Sequence, residues 1–237
     1  MTPEEKKFIR ENADKMSAKA MASRLGIKER KVRRYCEEID GGGAHPAPQA
    51  PTEPDRVNPA IVLFILLAVF AVYANALGGP FIFDDEVLVK NNVTIRSLSD
   101  VPKLFRSDLF LKDFTSKPVS NSFRPLQTTS YAIDYRIWKD KAFGYHLTNI
   151  LLHLLSTLLV FILVRSIYLG VYAAYLAAAI FGVHPVNTAC VTYIYGRADI
   201  MVGAFILSSV IFRRYFNRNG KLSALAISAA SYMLAVY

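Results

Sequence analysis

Two adjacent carboxylates, Asp84 and Asp85, stand between bulky apolar residues in the stretch FIFDDEVLV. An acid held among apolar side chains has a shifted pKa, and such acids are typical of sites where protons or charged groups are handled. A solvated loop turn is the alternative interpretation of a neighbouring aspartate pair. The apolar residues on both sides favour a functional role or a specific partner.

A second set of polar residues lies at the ends of apolar runs. These residues are Arg124, Tyr145, His146, Asn149, His184, Arg197 and Asp199. Because ionisable groups at membrane depth are costly, such groups usually line a cavity or a substrate path. Two alternatives stay open: Arg197 and Asp199 could pair only with each other, and His153 could form a hydrogen bond between helices. The spacing of His146 and His153 is not the i, i+4 spacing of a zinc-binding helix.

The elements that must position these residues are apolar helices. Residues 59–77 carry no charge, and at about 1.5 Å per residue they reach roughly the 30 Å of a bilayer core. With 53% hydrophobic residues, the composition is that of an all-α polytopic membrane protein. The predicted spans are about 59–77, 143–167, 171–187, 199–213 and 222–237, of which the last is shorter than a span needs.

The orientation follows from the short loop at residues 213–221, which holds four basic residues and no acid. Short loops of this kind are cytoplasmic, so counting back through the spans places the N-terminus in the cytoplasm and residues 79–142 outside. The candidate residues of both sets then converge on the outer face. Part of the net charge of +9 comes from basic residues whose position reflects this topology, so the charge is a weak argument for nucleic-acid binding.

The outer loop at residues 79–142 is too aromatic and apolar to be a solvated tether. Within it, residues 98–110 and 122–139 place apolar side chains at helical spacing with charges between them. This pattern predicts two amphipathic helices that lie along the membrane surface. Pro125 fits the first turn of the second helix.

Residues 1–40 are predicted to form a small soluble unit that resembles a helix-turn-helix. Thr2 and Glu5 form a capping-box pattern, Ser17 can cap a second helix, and a third helix starts near Lys28 after a turn at Gly26. The predicted packed positions are Ala20, Leu25, Ile27 and Val32. Its cations could meet DNA phosphates, but the mixed charge favours anionic lipid or a partner protein, and DNA binding is not expected. Residues 41–58 are a predicted Gly/Pro linker.

Six short motifs follow one another between residues 75 and 199. They are N-x4-PF-x-FDD (residues 75–85), LF (104–105), S-x-RPL (122–126), GYHLTNILLH (144–153), HPV-x-TA (184–189) and GRAD (196–199). Together they resemble the N-terminal membrane half of the transmembrane and tetratricopeptide-repeat O-mannosyltransferases and their bacterial relatives, which are GT-C glycosyltransferases. The resemblance covers residues 75 to about 210, and Phe123 stands where the family usually has Tyr. Residues 1–40 are not part of the pattern.

The resemblance implies a GT-C-like helical bundle in the bacterial inner membrane. It further implies transfer of a sugar from a polyprenyl-phosphate carrier to an acceptor hydroxyl, often of protein Ser or Thr, outside the cytoplasm. Asp84 or Asp85 would then be the base, with the other binding the acceptor or a metal. The candidates for the carrier phosphate would be Arg124, His146, His184 and Arg197. No cofactor is certain, and a divalent cation is left open.

Family members continue with further spans and a tetratricopeptide array, and the chain carries no such repeats. The chain is therefore expected to be a fragment or a shortened relative, which could bind without catalysing. Three hypotheses follow: a glycosyltransferase or its N-terminal part, a membrane-tethered helix-turn-helix regulator, or a non-catalytic subunit that a partner subunit completes.

Overall fold

The computed structural model describes residues 1–13, 16–39, 56–106, 123–167 and 170–236. Within these ranges every regular element is a helix, as the sequence predicts. The chain divides into two compact units, Met1–Asp55 and Arg56–Tyr237. Most of the predicted Gly/Pro linker lies outside the described residues.

The first unit consists of α1 (Pro3–Asn12), α2 (Ala18–Leu25) and α3 (Glu29–Ile39). The predicted capping box is formed, because the Glu5 amide donates to Thr2 Oγ1 at 3.2 Å and the Thr2 amide donates to Glu5 Oε2 at 2.7 Å. Gly26 ends α2 with φ +67°, a left-handed conformation that favours glycine. Local sequence signals thus set the helix ends.

The core of this unit differs in part from the prediction. Of the four predicted packed positions, Val32 is fully buried, Leu25 and Ile27 pack against the core while partly exposed, and Ala20 is not part of it. The orientation of α2 instead places the next two side chains, Met21 and Ala22, in the core. The buried core residues are Ile9, Met21, Ala22, Val32 and Tyr35.

The second unit holds eight α-helices among its described residues. They are α4 (Pro59–Tyr73), α5 (Val101–Leu104), α6 (Pro125–Trp138), α7 (Ala142–Ser166), α8 (Val171–Val183), α9 (Thr188–Thr192), α10 (Arg197–Asn219) and α11 (Leu222–Val236). Short 3₁₀ turns extend α4 to Gly78 and precede α5, α9 and α10, and a π-helical turn covers Glu86–Lys90.

Three helical segments are long and apolar enough to cross a bilayer: Pro59–Gly78, Ala142–Ser166 and Ile194–Asn219. A fourth crossing would come from the pair Val171–Val183 and Pro185–Thr192, which is bent by 45°. The bend falls at the predicted third span, where proline interrupts the helix. The last apolar helix, Leu222–Val236, has 15 residues. The chain is thus a multi-pass membrane protein.

Helices α4, α7 and α8 pack around a common apolar core that includes Val69, Ile150 and Ala178. At Gly182, an added Cβ atom would lie 2.4 Å from Cγ2 of Val69, so α4 and α8 approach too closely for a larger residue. The opposite face of α4 exposes large apolar side chains, among them Phe64 at 71%. Such an exposed apolar face suits contact with lipid.

The outer segment between α4 and α7 is only partly as predicted. Pro125 opens α6 in its first turn. Of the predicted helix at residues 98–110, the described part, 98–106, is helical only from Leu98 to Leu104, and the rest lies outside the described residues. The buried face of α6 carries polar residues, among them Asp134, beside the core residues Tyr131 and Ala132, whereas Ile133 and Ile137 are exposed. This helix therefore turns its acid inward, toward the buried Arg197.

Candidate active site

The acidic loop after α4 holds the two carboxylates in different environments. Asp85 is fully buried, and its Oδ1 accepts a hydrogen bond from the Tyr195 amide at 3.0 Å. Its Oδ2 accepts from the Ile82 amide at 3.3 Å. Burial raises the pKa of Asp85 to about 6, although these amide donors and Arg197 oppose the shift. Asp85 therefore fastens the loop to the turn before α10.

Asp84 remains partly accessible. Its backbone amide donates to the hydroxyl of Tyr193 at 3.2 Å, and the same hydroxyl lies beside the Asp84 side chain. The preceding Phe83 has φ +48°, a strained value for a non-glycine residue, and its side chain is 82% exposed. Strain of this kind persists where the surrounding structure enforces it, often at functional sites. Here it accompanies a turn that separates an accessible carboxylate from a buried one.

The turn before α10, Ile194–Gly196, completes the support of this loop. Three successive carbonyl oxygens at residues 193–195 accept side-chain hydrogen bonds, from Asn149 Nδ2 at 3.0 Å, Tyr131 Oη at 3.0 Å and Gln127 Nε2 at 2.7 Å. Buried carbonyls outside regular helix need such partners. Helices α6 and α7 thus fix the backbone on which Asp85 rests.

Arg197 lies at the centre of this arrangement and is fully buried. Its guanidinium forms an ion pair with Asp134 Oδ2 at 2.6 Å and lies 4.7 Å from the centre of the Tyr131 ring. It also donates to Asn149 Oδ1 at 2.7 Å, Ser130 Oγ at 3.0 Å and the Tyr145 carbonyl at 2.9 Å. These bonds occupy most of its donors inside the protein, so the geometry does not favour the predicted contact with a carrier phosphate. The alternative pairing with Asp199 is wrong.

Tyr145, Asn149 and His146, predicted to bind substrate, are buried in α7. Tyr145 donates to the Lys139 carbonyl at 3.0 Å, and His146 packs so closely that a Cβ on Gly79 would lie 3.1 Å from its Nε2. These buried side chains therefore contribute to the packing of the helices. His153 Nε2 lies 2.9 Å from the Gly182 carbonyl, which confirms the alternative of an interhelical hydrogen bond.

His184 and Asp199 remain exposed. His184 Nδ1 accepts from the Val186 amide at 3.1 Å and caps the turn before α9, so its Nε2 is left for other partners. Asp199 Oδ2 lies 3.7 Å from Cys190 Sγ. The structure therefore does not gather all the predicted site residues into one cluster.

Arg124 stands at the start of α6 beside the acidic loop. Its guanidinium lies 5.4 Å from the centre of the Tyr195 ring, and that ring lies 5.7 Å from the ring of Tyr193. Since Tyr193 contacts Asp84, the two tyrosines connect Asp84 with Arg124. We call these four residues, Asp84, Arg124, Tyr193 and Tyr195, the Asp84 face.

A cleft of about 190 Å³ shares one residue, Arg124, with the Asp84 face. Its polar wall includes Arg124, Gln127 and Asp199. Gln127 Oε1 is buried without a hydrogen-bond partner among the described residues. The apolar wall comes from α10 and α11, with Met201, Val202, Phe205 and Leu234. The cleft can therefore take a molecule with a polar end and an apolar chain.

Sequence reasoning missed Asp134, Tyr193 and Tyr195, because their roles depend on contacts between distant segments. One signal was available for Asp134: a buried arginine at a span end requires a counter-charge, and α6 offers an acid. In the part of the chain that the structure describes, no group of three or more His, Cys, Asp or Glu residues is placed to hold a metal ion.

The raised pKa of Asp85 gives the first prediction. The folded state binds the proton more tightly than the unfolded chain, so this group's contribution to stability is present below about pH 4 and is lost as the pH rises toward 6. We expect wild type to lose about 2 kcal/mol of unfolding free energy between about pH 4 and pH 6, compared with the Asp85→Asn variant over the same range. Unfolding in detergent at several pH values measures it. A difference that does not change with pH would contradict the buried acid.

Comparison with known proteins identifies several relatives of the chain. A protein O-mannosyl-transferase of Caenorhabditis elegans is 30% identical over 184 residues, which cover 76% of this chain and 27% of that protein. The protein O-mannosyl-transferase TMTC4 of Homo sapiens is 31% identical over 181 residues, covering 68% and 24%. The protein O-mannosyl-transferase Tmtc2 of Drosophila melanogaster is 33% identical over 139 residues, covering 58% and 15%.

These similarities support the resemblance to the transmembrane and tetratricopeptide-repeat O-mannosyltransferases. The chain spans about a quarter or less of the length of these relatives. They are animal proteins, so the bacterial type inferred from the motifs stays a prediction, as does the GT-C superfamily. No protein-family model matches the chain. No solved structure matches it either.

Proposed function

We propose that the chain is the N-terminal membrane part of a glycosyltransferase that moves a sugar from a polyprenyl-phosphate carrier to a hydroxyl group of protein Ser or Thr. The observation that supports this most is the pair of carboxylates in unlike environments. Asp85 is buried and accepts hydrogen bonds from two backbone amides, whereas Asp84 is partly accessible beside Tyr193. Arg124 of the Asp84 face lines the cleft. The relatives are named protein O-mannosyl-transferases, which supports the transfer of a sugar to a protein.

In this proposal Asp84 is the general base. Its carboxylate takes the proton of the acceptor hydroxyl while that oxygen forms a bond to the anomeric carbon. The bond between the anomeric carbon and the phosphate oxygen breaks, and the carrier phosphate leaves with the electron pair. Asp85 acts as a positioning residue, because it fixes the loop to the Tyr195 backbone.

Binding of the anionic carrier phosphate needs a cation, and Arg124 is an arginine that the structure leaves partly accessible. Its side chain is half-buried over the Tyr195 ring and lines the cleft. The apolar wall from α10 and α11 suits an isoprenoid chain. The exposed His184 is a further candidate for the phosphate, while Arg197 becomes a positioning residue.

Arg124→Lys tests this assignment. A lysine replaces a planar, two-pronged donor with a point charge, so we expect the KM for the carrier to rise about tenfold with little change in kcat. Steady-state kinetics of the full-length protein measure both parameters. Arg106→Lys, the same exchange at an exposed position of the outer segment, is the control and should leave KM unchanged. Equal kinetics for both variants would remove Arg124 from the carrier site.

We further propose that the Asp84 face lies outside the cytoplasm, with the N-terminus in the cytoplasm, in a bacterial inner membrane. The four basic residues at 213–221 support this orientation.

Single cysteines test the orientation in a background with Cys36→Ala and Cys190→Ala. In intact cells, Asp100→Cys and Ser120→Cys should react with a membrane-impermeant thiol reagent, because they lie in the proposed outer segment. Asn217→Cys should react only after the membrane is opened. Labelling of position 217 alone in intact cells would invert the topology and place the acids in the cytoplasm.

A further inference from the structure

Helix α3 of the first unit divides into an apolar face and a cationic face. Val32 and Tyr35 are buried against α1 and α2. The four basic side chains of the helix, Arg30, Lys31, Arg33 and Arg34, are all exposed. At about 100° per residue they fill the arc opposite the buried residues. We call these four residues the basic face.

Two charges of the basic face, those of Arg30 and Lys31, have no ion-pair partner among the described residues. Arg33 forms an ion pair with Glu29 at 3.0 Å, and exposed pairs of this kind are weak. Among the described side chains of this unit, Met1 is the one large apolar side chain that is exposed. A partner of this face would therefore be held by charge rather than by apolar insertion.

We propose that the basic face binds the anionic lipid headgroups of the membrane in which the chain itself is anchored. Basic residues near an anionic bilayer surface are attracted individually, and clusters of several suffice for peripheral binding. This surface is independent of the proposed glycosyl transfer, since it lies in the other unit of the chain.

Covalent attachment favours the bilayer as the partner. The first candidate span begins at Pro59, and α3 ends at Ile39. Residues 40–58 can reach at most about 70 Å when fully extended, so the basic face never leaves the vicinity of the membrane. Duplex DNA would have to be brought to the membrane, and helix-turn-helix proteins usually bind it as dimers with two half-sites. The charge and the anchor together favour lipid.

The experiment uses the complete chain in nanodiscs, with Cys36→Ala and Cys190→Ala. Lys28→Cys, next to the basic face, carries a fluorophore, and the lipids carry a headgroup-attached quencher. One set of discs is pure phosphatidylcholine, and the other contains about 30% phosphatidylserine. We expect strong quenching in the anionic discs and weaker quenching in the pure phosphatidylcholine discs. Quenching in the anionic discs should also weaken at about 0.5 M salt, because charges are then screened within a few ångströms.

Charge-reversal variants locate the contact. Arg30→Glu with Lys31→Glu should reduce the membrane-bound fraction about tenfold or more. Lys7→Glu with Arg10→Glu makes the same change in net charge at exposed positions of α1 and should reduce it far less. Resistance of the unit to limited proteolysis shows that each variant is folded, and Arg30→Gln with Lys31→Gln should give an intermediate loss.

Three outcomes would overturn the proposal. The first is equal quenching in zwitterionic and anionic discs, and the second is an equal loss in the α1 and α3 variants. The third is sequence-dependent binding of duplex DNA with a Kd near 10⁻⁸ M at physiological salt that the α3 variant abolishes, which would assign the basic face to DNA. None of these measurements depends on transferase activity. An overturning result would therefore reject lipid binding by the basic face and leave the proposed glycosyl transfer untested.

Discussion

Asp84→Asn in the full-length protein should lower the rate of sugar transfer by about 10²- to 10⁴-fold, the usual contribution of a general base. Asparagine keeps the size of the side chain and removes its basicity. Because Asp84 is partly accessible and bonded through its backbone amide, the substitution should leave insertion and stability unchanged. Transfer rates at saturating carrier and acceptor, with protein amounts matched, measure the effect.

Two neighbouring acids provide the controls. Glu86→Gln removes an exposed charge that pairs with Lys90 at 3.3 Å, and it should change the rate less than twofold, which corresponds to less than about 0.4 kcal/mol. Asp85→Asn should reduce transfer through the position of the loop and should change the pH dependence of stability. A larger loss of transfer in Asp85→Asn than in Asp84→Asn would reverse the two roles. Near wild-type transfer in both would make the pair a structural turn.

Arg197→Met should destabilise the membrane unit by about 3–5 kcal/mol, because it leaves the buried carboxylate of Asp134 without its counter-charge. Burial already raises the pKa of Asp134 despite the ion pair. The double variant Arg197→Met with Asp134→Leu should recover much of the loss, since no charge is then buried alone. Reversible unfolding in detergent measures both values.

The control for this prediction is Arg213→Met, at an exposed position near the other end of α10. It should change stability by less than about 0.5 kcal/mol. If Arg197→Met is as mild as the control, or the double variant is no more stable than the single one, the ion pair is not what holds α6 to α10. In that case Arg197 would return as a candidate for substrate binding.

Local rules were sufficient where neighbouring residues decide the structure. The capping box of Thr2 and Glu5, the turn at Gly26 and the first-turn position of Pro125 each depend on a few adjacent residues. The uncharged run after Asn58 likewise predicts a membrane helix from composition alone. The helical, multi-pass class of the protein followed from these signals.

Roles that depend on distant contacts could not be predicted in this way. Nothing in the adjacent letters DD distinguishes Asp85, which accepts from Tyr195 across 110 positions, from Asp84. The direction in which α6 faces is set by Arg197, which is 63 residues farther along the chain than Asp134. Apolar and polar periodicity locates a helix, but only the packed partner shows which of its faces is buried.

The most direct test of the account is transfer itself. Membranes containing the full-length protein would be supplied with a polyprenyl-phosphate sugar labelled in the sugar, together with a peptide rich in Ser and Thr. We predict that mass spectrometry will find the labelled sugar on a peptide hydroxyl with wild type and, within the assay time, only traces with Asp84→Asn. No labelled peptide with wild type, although the protein is inserted and binds the carrier, would contradict the proposed glycosyltransferase.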